Sequence, residues 1–263
     1  MPNAQASPNR VRPYALPRKV PTIGQDDRSL KYRLQRTDRR KTMALRVQRD
    51  GGIEVLAPGG VDAAYVRNFV GRRAGWIADR RRYFSEMLRR HPPKELKNGE
   101  SFSVFGRDHR LRLERLPGLK APFCRIEGRK LNVSINGLFV ETLPSIVGLA
   151  IREWYAALTE KKARAIIRKH AGALAVRPNN LKVVNQAARW ASCSKNGDIR
   201  CNWRLSMMPM PVLEYIIVHE LCHLKTRDHS AKFWSILKSV LPDYERRRQR
   251  LRQVGPGIAM AMA

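Results

Sequence analysis

Three of the chain's six histidines fall in one stretch, Val218-His219-Glu220-Leu221-Cys222-His223-Leu224-Lys225-Thr226-Arg227-Asp228-His229-Ser230. Four residues of α-helix turn a side chain by about 40° and advance it ~6 Å. His219 and His223 on one helix therefore aim their imidazoles at a common point, where two neutral nitrogens suit a zinc ion. Glu220, beside the first of them, can reach a water at that ion without being a ligand, which is the place a general base needs. A catalytic zinc takes a third protein ligand and keeps one position open. His229 fits that role, because Leu224 to Asp228 give the chain room to end the helix and turn back. In metzincins the corresponding turn contains Gly; here Thr226 stands there, so the turn must take another backbone path. A shuffled chain of this composition yields HExxH about once in two hundred trials, and the third histidine lowers that by roughly another factor of sixty, so chance is the weaker explanation. Cys222 lies about 100° around the helix from His223 and should point away from the metal, which favours an open, catalytic site over a closed structural one. His91, His109 and His170 sit in basic, polar contexts and read as surface residues.

The helix carrying this stretch starts at Pro211, which suits a first turn, and runs to about Lys225. Val212, Leu213, Ile216, Ile217, Val218, Leu221 and Leu224 make it apolar nearly all round, so it should be buried. Ser230 can cap a following helix, and Pro242-Asp243 opens a last basic helix that should stop at Gly255-Pro256-Gly257. Upstream, Leu181 to Cys193 and Ile199 to Met208 are strand-like runs flanking Asn196-Gly197, a pair that predicts a type I′ hairpin. A long amphipathic helix from Pro144 to about Ala171 carries Val147, Ala150, Ile151, Trp154, Leu158 and Ile166 on one stripe.

The first half reads as strands: Leu30–Arg36, Thr42–Arg49 and Ile53–Pro58, a predicted meander, then one helix from an Asp62 cap to about Arg90. Four more strand-like runs follow between Glu100 and Asn136. The domain expectation is a disordered basic arm at 1–27, a β-rich module at 28–142, a domain at 143–253 holding the histidine helix, and a flexible tail at 254–263.

With 52 Lys and Arg against 22 Asp and Glu, the chain carries a net charge of +30. Such a surface attracts polyanions, so non-specific nucleic acid is a candidate partner. The four cysteines form no CxxC pair, which suits reduced thiols in a cytoplasmic protein. No apolar run approaches the ~20 residues of a membrane span, and the first residues lack the apolar centre of a signal peptide.

Arg189-Trp190-Ala191-Ser192-Cys193-Ser194, Asn202-Trp203-Arg204-Leu205, the histidine stretch with Ala231-Lys232-Phe233-Trp234, and Leu241-Pro242-Asp243-Tyr244 resemble, in that order, the YgjP-like metallopeptidases. These are relatives of the SprT-like and WLM zinc proteases. Trp76 and the segments Arg39–Val47 and Gly51–Pro58 extend the resemblance to about residues 30–253. It departs at Ala191, where family members usually have Gly. The resemblance implies an α+β fold with a zincin-like metallopeptidase core, His219, His223 and His229 as zinc ligands, Glu220 as catalytic base, and a protein or peptide substrate. It also implies that the strand at Arg189, Trp190, Ala191, Ser192 and Cys193 is a candidate to pair with extended substrate, by β-addition. Trp190 and Trp203 read as core residues, and Tyr244 is a weaker candidate for oxyanion stabiliser. The competing class is a nucleic-acid-associated basic protein with a structural or vestigial zinc site.

Overall fold

The computed structural model describes residues 22–25, 30–136, 143–186 and 189–260, and the chain divides into two compact units, 1–86 and 87–263. Most of the arm expected at 1–27 lies outside the described residues, but within it Thr22–Gln25 form a strand. The β-rich module expected to end at 142 is divided instead: its second group of strands belongs to the unit that carries the histidine helix.

The first unit holds β1 (Thr22–Gln25), β2 (Lys31–Arg36), β3 (Ala44–Val47), β4 (Ile53–Ala57), α1 (Ala63–Gly71) and most of α2 (Ala74–Arg90). β3 and β4 form the expected hairpin, but β4 also pairs in parallel with β2, giving the order β1-β2-β4-β3 in place of a meander. The reason lies in composition. β4 is the most apolar strand, with Ile53, Val55, Leu56 and Ala57 all buried, and the centre of a sheet is the position with neighbours on both sides. Asp62 caps α1 as expected, its Oδ2 accepting from the Ala64 and Tyr65 N–H groups at 2.6 and 3.3 Å. The single helix expected to Arg90 is broken at Arg72-Arg73, after Gly71. Val66, Val70 and Ile77 from the two helices pack on β4.

The second unit begins with β5 (Ser101–Val104), β6 (Arg107–Arg115), β7 (Phe123–Glu127) and β8 (Lys130–Ile135), in the order β5-β6-β8-β7. This repeats the topology of the first sheet, again with the most buried strand, β8, inside and parallel to β6. The β5–β6 turn puts both Phe105 (φ 49°) and Gly106 (φ 80°) in the left-handed region, the I′ pattern. A Cβ on Gly106 would lie 2.9 Å from Pro209 Cγ, so the turn is closed down on the start of the histidine helix. α3 (Leu143–His170) lays Val147, Ile151 and Tyr155 on this sheet. A third sheet, β10-β11-β9, is built from β9 (Asn180–Val184), β10 (Ala191–Cys193) and β11 (Asp198–Asn202), with β9 and β11 parallel. Its hairpin lies where Asn196-Gly197 predicted it, but of that pair only Gly197 has a positive φ (81°). The Gly197 N–H donates to Ser194 and the Ser194 N–H to Asp198, so the loop closes with one left-handed glycine and not as type I′.

α4 (Met210–Cys222), α5 (Ala231–Val240) and α6 (Tyr244–Met260) complete the unit. α4 is its central helix: Val212, Leu213, Ile216, Ile217, Val218, Leu221 and Cys222 are all buried, each large side chain contributing about 1.5–3 kcal/mol by leaving water. The flexible tail expected from 254 is absent up to Met260, because α6 continues through Gly255-Pro256-Gly257. Packing compensates the bond Pro256 cannot donate: Gly255 sits against the Trp190 indole, Gly257 against the His91 ring, and Met260 is buried. No helix among the described residues is long and apolar enough to cross a membrane.

Two histidines expected at the surface are buried. His109 Nδ1 lies 2.8 Å from the Arg107 carbonyl, and His170 Nε2 lies 2.9 Å from Glu214 Oε1. Glu214, on α4, also accepts from Lys169 Nζ at 2.8 Å and Arg247 at 2.6 Å, so one carboxylate joins α3, α4 and α6. Burial raises its pKa, but the three donors outweigh burial and hold it down at about 2. A carboxylate whose folded pKa is depressed stabilises the fold above its unfolded pKa, about 4.3, and that contribution is lost as pH falls toward 2. Glu214→Gln is therefore expected to cost about 1–2 kcal/mol at pH 7, less than an unscreened cluster would, since solvent reaches part of it. The native-minus-mutant difference should shrink between pH 4.5 and 2; urea titrations at several pH values measure it, and a pH-independent difference would contradict it.

Candidate metal centre

His219 and His223 close α4, His223 as the residue that ends it, its N–H donating to the His219 carbonyl at 3.3 Å. The chain then turns through Thr226 and returns at His229. Asp228 organises this turn: its Oδ1 accepts from Thr226 Oγ1 and Ser230 Oγ, both at 2.8 Å, and from the Ser230 N–H at 3.4 Å. A side-chain carboxylate thus shapes the turn in which Thr226 stands. Ser230 starts α5 as expected but makes no side-chain capping bond, its hydroxyl being given to Asp228.

The three imidazoles meet. Their ring centroids are 4.8–4.9 Å apart pairwise, and one nitrogen from each can be chosen so that all lie within 4.8 Å of one another. His219 Nε2 and His229 Nε2 are 3.0 Å apart, close to the ~3.3 Å between nitrogens on a tetrahedral zinc with ~2.0–2.1 Å bonds. His223 Nδ1 lies 3.1 Å from the Thr226 carbonyl and so carries the proton there, leaving Nε2 as the lone pair. His219 Nδ1 is buried without a hydrogen-bond partner. Burial first, then the neighbouring imidazoles, holds His219 down to about 3; burial likewise lowers His223. Both rings are neutral near pH 7, as metal ligands must be. Phe233, fully buried, lies 4.8 Å by centroid from each of the three rings and forms an apolar floor. No Cys, Asp, Glu or further His joins the cluster among the described residues, so these three could hold a cation with a position left open.

Glu220 is buried, and burial pushes its carboxyl up to about 7 against the lowering effect of the Cys193 backbone N–H and of Arg189. That contact defines the strand beside it. Among the described residues β10 pairs only with β11 and forms an edge of its sheet. Trp190 and Ser194 bond toward β11, so Ala191 and Cys193, alternating with them, turn their N–H and C=O groups to the other side, where α4 lies. Ser192 faces Arg200 of β11. Arg189 and Trp190 precede the strand, Trp190 partly buried against the core and Trp203 wholly buried.

Tyr244 is not brought to the imidazoles. It stacks on Trp234 (5.5 Å, 22°) and gives its hydroxyl to Glu245 at 3.1 Å, while Trp234 itself stacks on His229 (5.7 Å, 29°) and donates to the His229 carbonyl at 3.0 Å. The tyrosine ring nearest His219 is Tyr215, at 5.9 Å. Residue spacing gave no sign of three further contributors: Asp228, Trp234, and Arg227, which binds the Ser194 and Lys195 carbonyls at 2.7 and 3.0 Å and ties the β10–β11 hairpin to the turn after α4.

Comparison with known proteins finds the following similarities. The zymogen of Pyrococcus abyssi abylysin, a metallopeptidase, is similar at 22% identity over 38% of this chain and 99% of its own, with a TM-score of 0.34. The metallopeptidase zymogen of Methanocaldococcus jannaschii jannalysin is similar at 23% identity over 35% of this chain and 94% of its own, with a TM-score of 0.32. No curated protein matches. The family model described as YgjP-like, metallopeptidase domain matches residues 41–254, which include all three histidines and most of both units, and the chain therefore belongs to the YgjP-like metallopeptidase family.

Proposed function

We propose that the protein is a zinc-dependent peptidase in which His219, His223 and His229 hold the metal through their Nε2 atoms and Glu220 is the general base. The observation that carries this reading is the convergence of three imidazoles within 4.8 Å of one another, one of them held by the Thr226 carbonyl with its Nε2 free to ligate, at the end of the helix in which Glu220 lies. Zinc bound there supplies Lewis acidity and makes a water acidic enough to ionise near neutrality. The His223–Thr226 bond fixes one ring in the ligating tautomer. Glu220, a buried carboxyl beside the first histidine, takes the proton of the attacking water and returns it to the leaving amine nitrogen. β10 offers Ala191 as a pairing point for an extended peptide, and the Cys193 N–H orients the Glu220 carboxylate. Phe233 keeps bulk water from the underside of the imidazoles.

The test is hydrolysis of unfolded proteins or peptides by the zinc-loaded enzyme. Chelation should abolish it and one equivalent of zinc restore it, whereas cleavage unaffected by chelation would reject a metal mechanism. The nucleic-acid reading rests on the +30 charge and on the basic clusters Arg39-Arg40-Lys41, Arg80-Arg81-Arg82 and Arg246-Arg247-Arg248; it requires binding that weakens steeply as salt rises.

A further inference from the structure

The surroundings of His219 on the α5–α6 side are cationic and aromatic. Arg248, on α6, places its guanidinium carbon 4.9 Å from the centre of the Trp234 indole, and that ring is 5.7 Å from His229 and 6.3 Å from His219. Arg248 is exposed and, among the described residues, makes no ion pair, although its neighbours on the helix do: Arg247 binds Glu214 and Asp243, and Arg246 binds Asp243. Arg252 lies one turn further on the same face of α6, four residues on. The field of Arg248 reaches His219 and the buried Tyr215 and Tyr244, as that of Arg252 reaches Tyr215. Arg189 adds a further positive charge, its field lowering the pKa of Glu220. An indole face holds a guanidinium in place while leaving its N–H fork free for a planar anion.

We infer that Arg248, seated on Trp234 and supported by Arg252, is a specificity-determining residue that binds a substrate carboxylate next to the scissile bond, so that the enzyme selects acidic peptides. This rests on the peptidase reading of the same site. The carboxylate is either an Asp or Glu side chain or the free carboxyl terminus of a short peptide; both offer the two coplanar oxygens that a guanidinium fork matches.

Binding separates the inference from catalysis. Fluorescent peptides of one length, with an internal Glu, with Gln in its place, or with Gln and an amidated carboxyl terminus, are titrated by anisotropy into zinc-loaded Glu220→Gln protein, alone and with Arg248→Ala, Arg248→Lys or Arg250→Ala. Arg250, which pairs with Gln253, changes net charge by the same amount from another face of α6. The expected result is roughly tenfold weaker binding of the carboxylate-bearing peptides in Arg248→Ala, partial retention in Arg248→Lys, and little change in Arg250→Ala. The internal-Glu and free-terminus arms identify which carboxylate is bound. Equal losses in Arg248→Ala and Arg250→Ala would reduce the effect to overall charge and overturn the inference, as would binding that ignores the carboxylates or no binding at all. Discriminating binding without cleavage by the native enzyme would keep Arg248 as a carboxylate-binding residue and reject both the peptidase reading and the role in substrate selection that rests on it.

Discussion

Glu220→Gln should leave the protein folded and metal-loaded while peptide hydrolysis falls by about 10² or more. Gln keeps the shape and one hydrogen-bonding oxygen but cannot take the proton, and positioned general bases contribute about 10²–10⁴ in rate. The buried carboxyl sits against the Cys193 N–H, and an amide oxygen accepts that bond as well, so the strand beside it should not move. The effect should appear in kcat with KM nearly unchanged, because the proton moves only as the transition state is reached. Metal lost together with activity would make Glu220 a ligand; activity retained in a metal-loaded mutant would put the base elsewhere.

Removing the metal should have the largest effect on stability. An ion bound only by the folded state stabilises it by RT ln(1 + [L]/Kd), about 4 kcal/mol when the free metal is a thousandfold above Kd. For a domain of this size each kcal/mol moves Tm by about 2–4 °C, so chelation should lower Tm by roughly 8–16 °C. His219→Ala should match the chelated native protein or fall below it, since its ring also packs on Phe233 and Tyr215. The mutant should no longer respond to zinc. A Tm indifferent to chelation would mean that no metal of that affinity is bound.

What could be read in the sequence was local. The His219–His223 spacing, the buried α4, the Asp62 cap and the hairpin at Gly197 each depend on a few neighbouring residues, and all appear where expected. The parallel pairings β2/β4, β6/β8 and β9/β11 are not local: they bring the most buried strand into the middle of each sheet, and no turn signal announces that. For the same reason the meander failed and the boundary moved to 86/87. His170 looked like a surface residue because its partner Glu214 is 44 positions away. α6 outlasts its Gly-Pro-Gly because Trp190 and His91, far away in sequence, pack against the glycines. The clustering of the three histidines followed from spacing and resemblance, but their surroundings, Arg227, Trp234 and Arg248, needed the fold to bring α5, α6 and the β10–β11 hairpin to one place.

The most direct measurement is anomalous diffraction at the zinc edge from crystals of the metal-loaded protein. The account predicts a single peak per chain, about 2.0–2.1 Å from Nε2 of His219, His223 and His229, with the Glu220 carboxylate outside bonding distance. A peak away from these three nitrogens, or one bonded to a Glu220 oxygen, would contradict it.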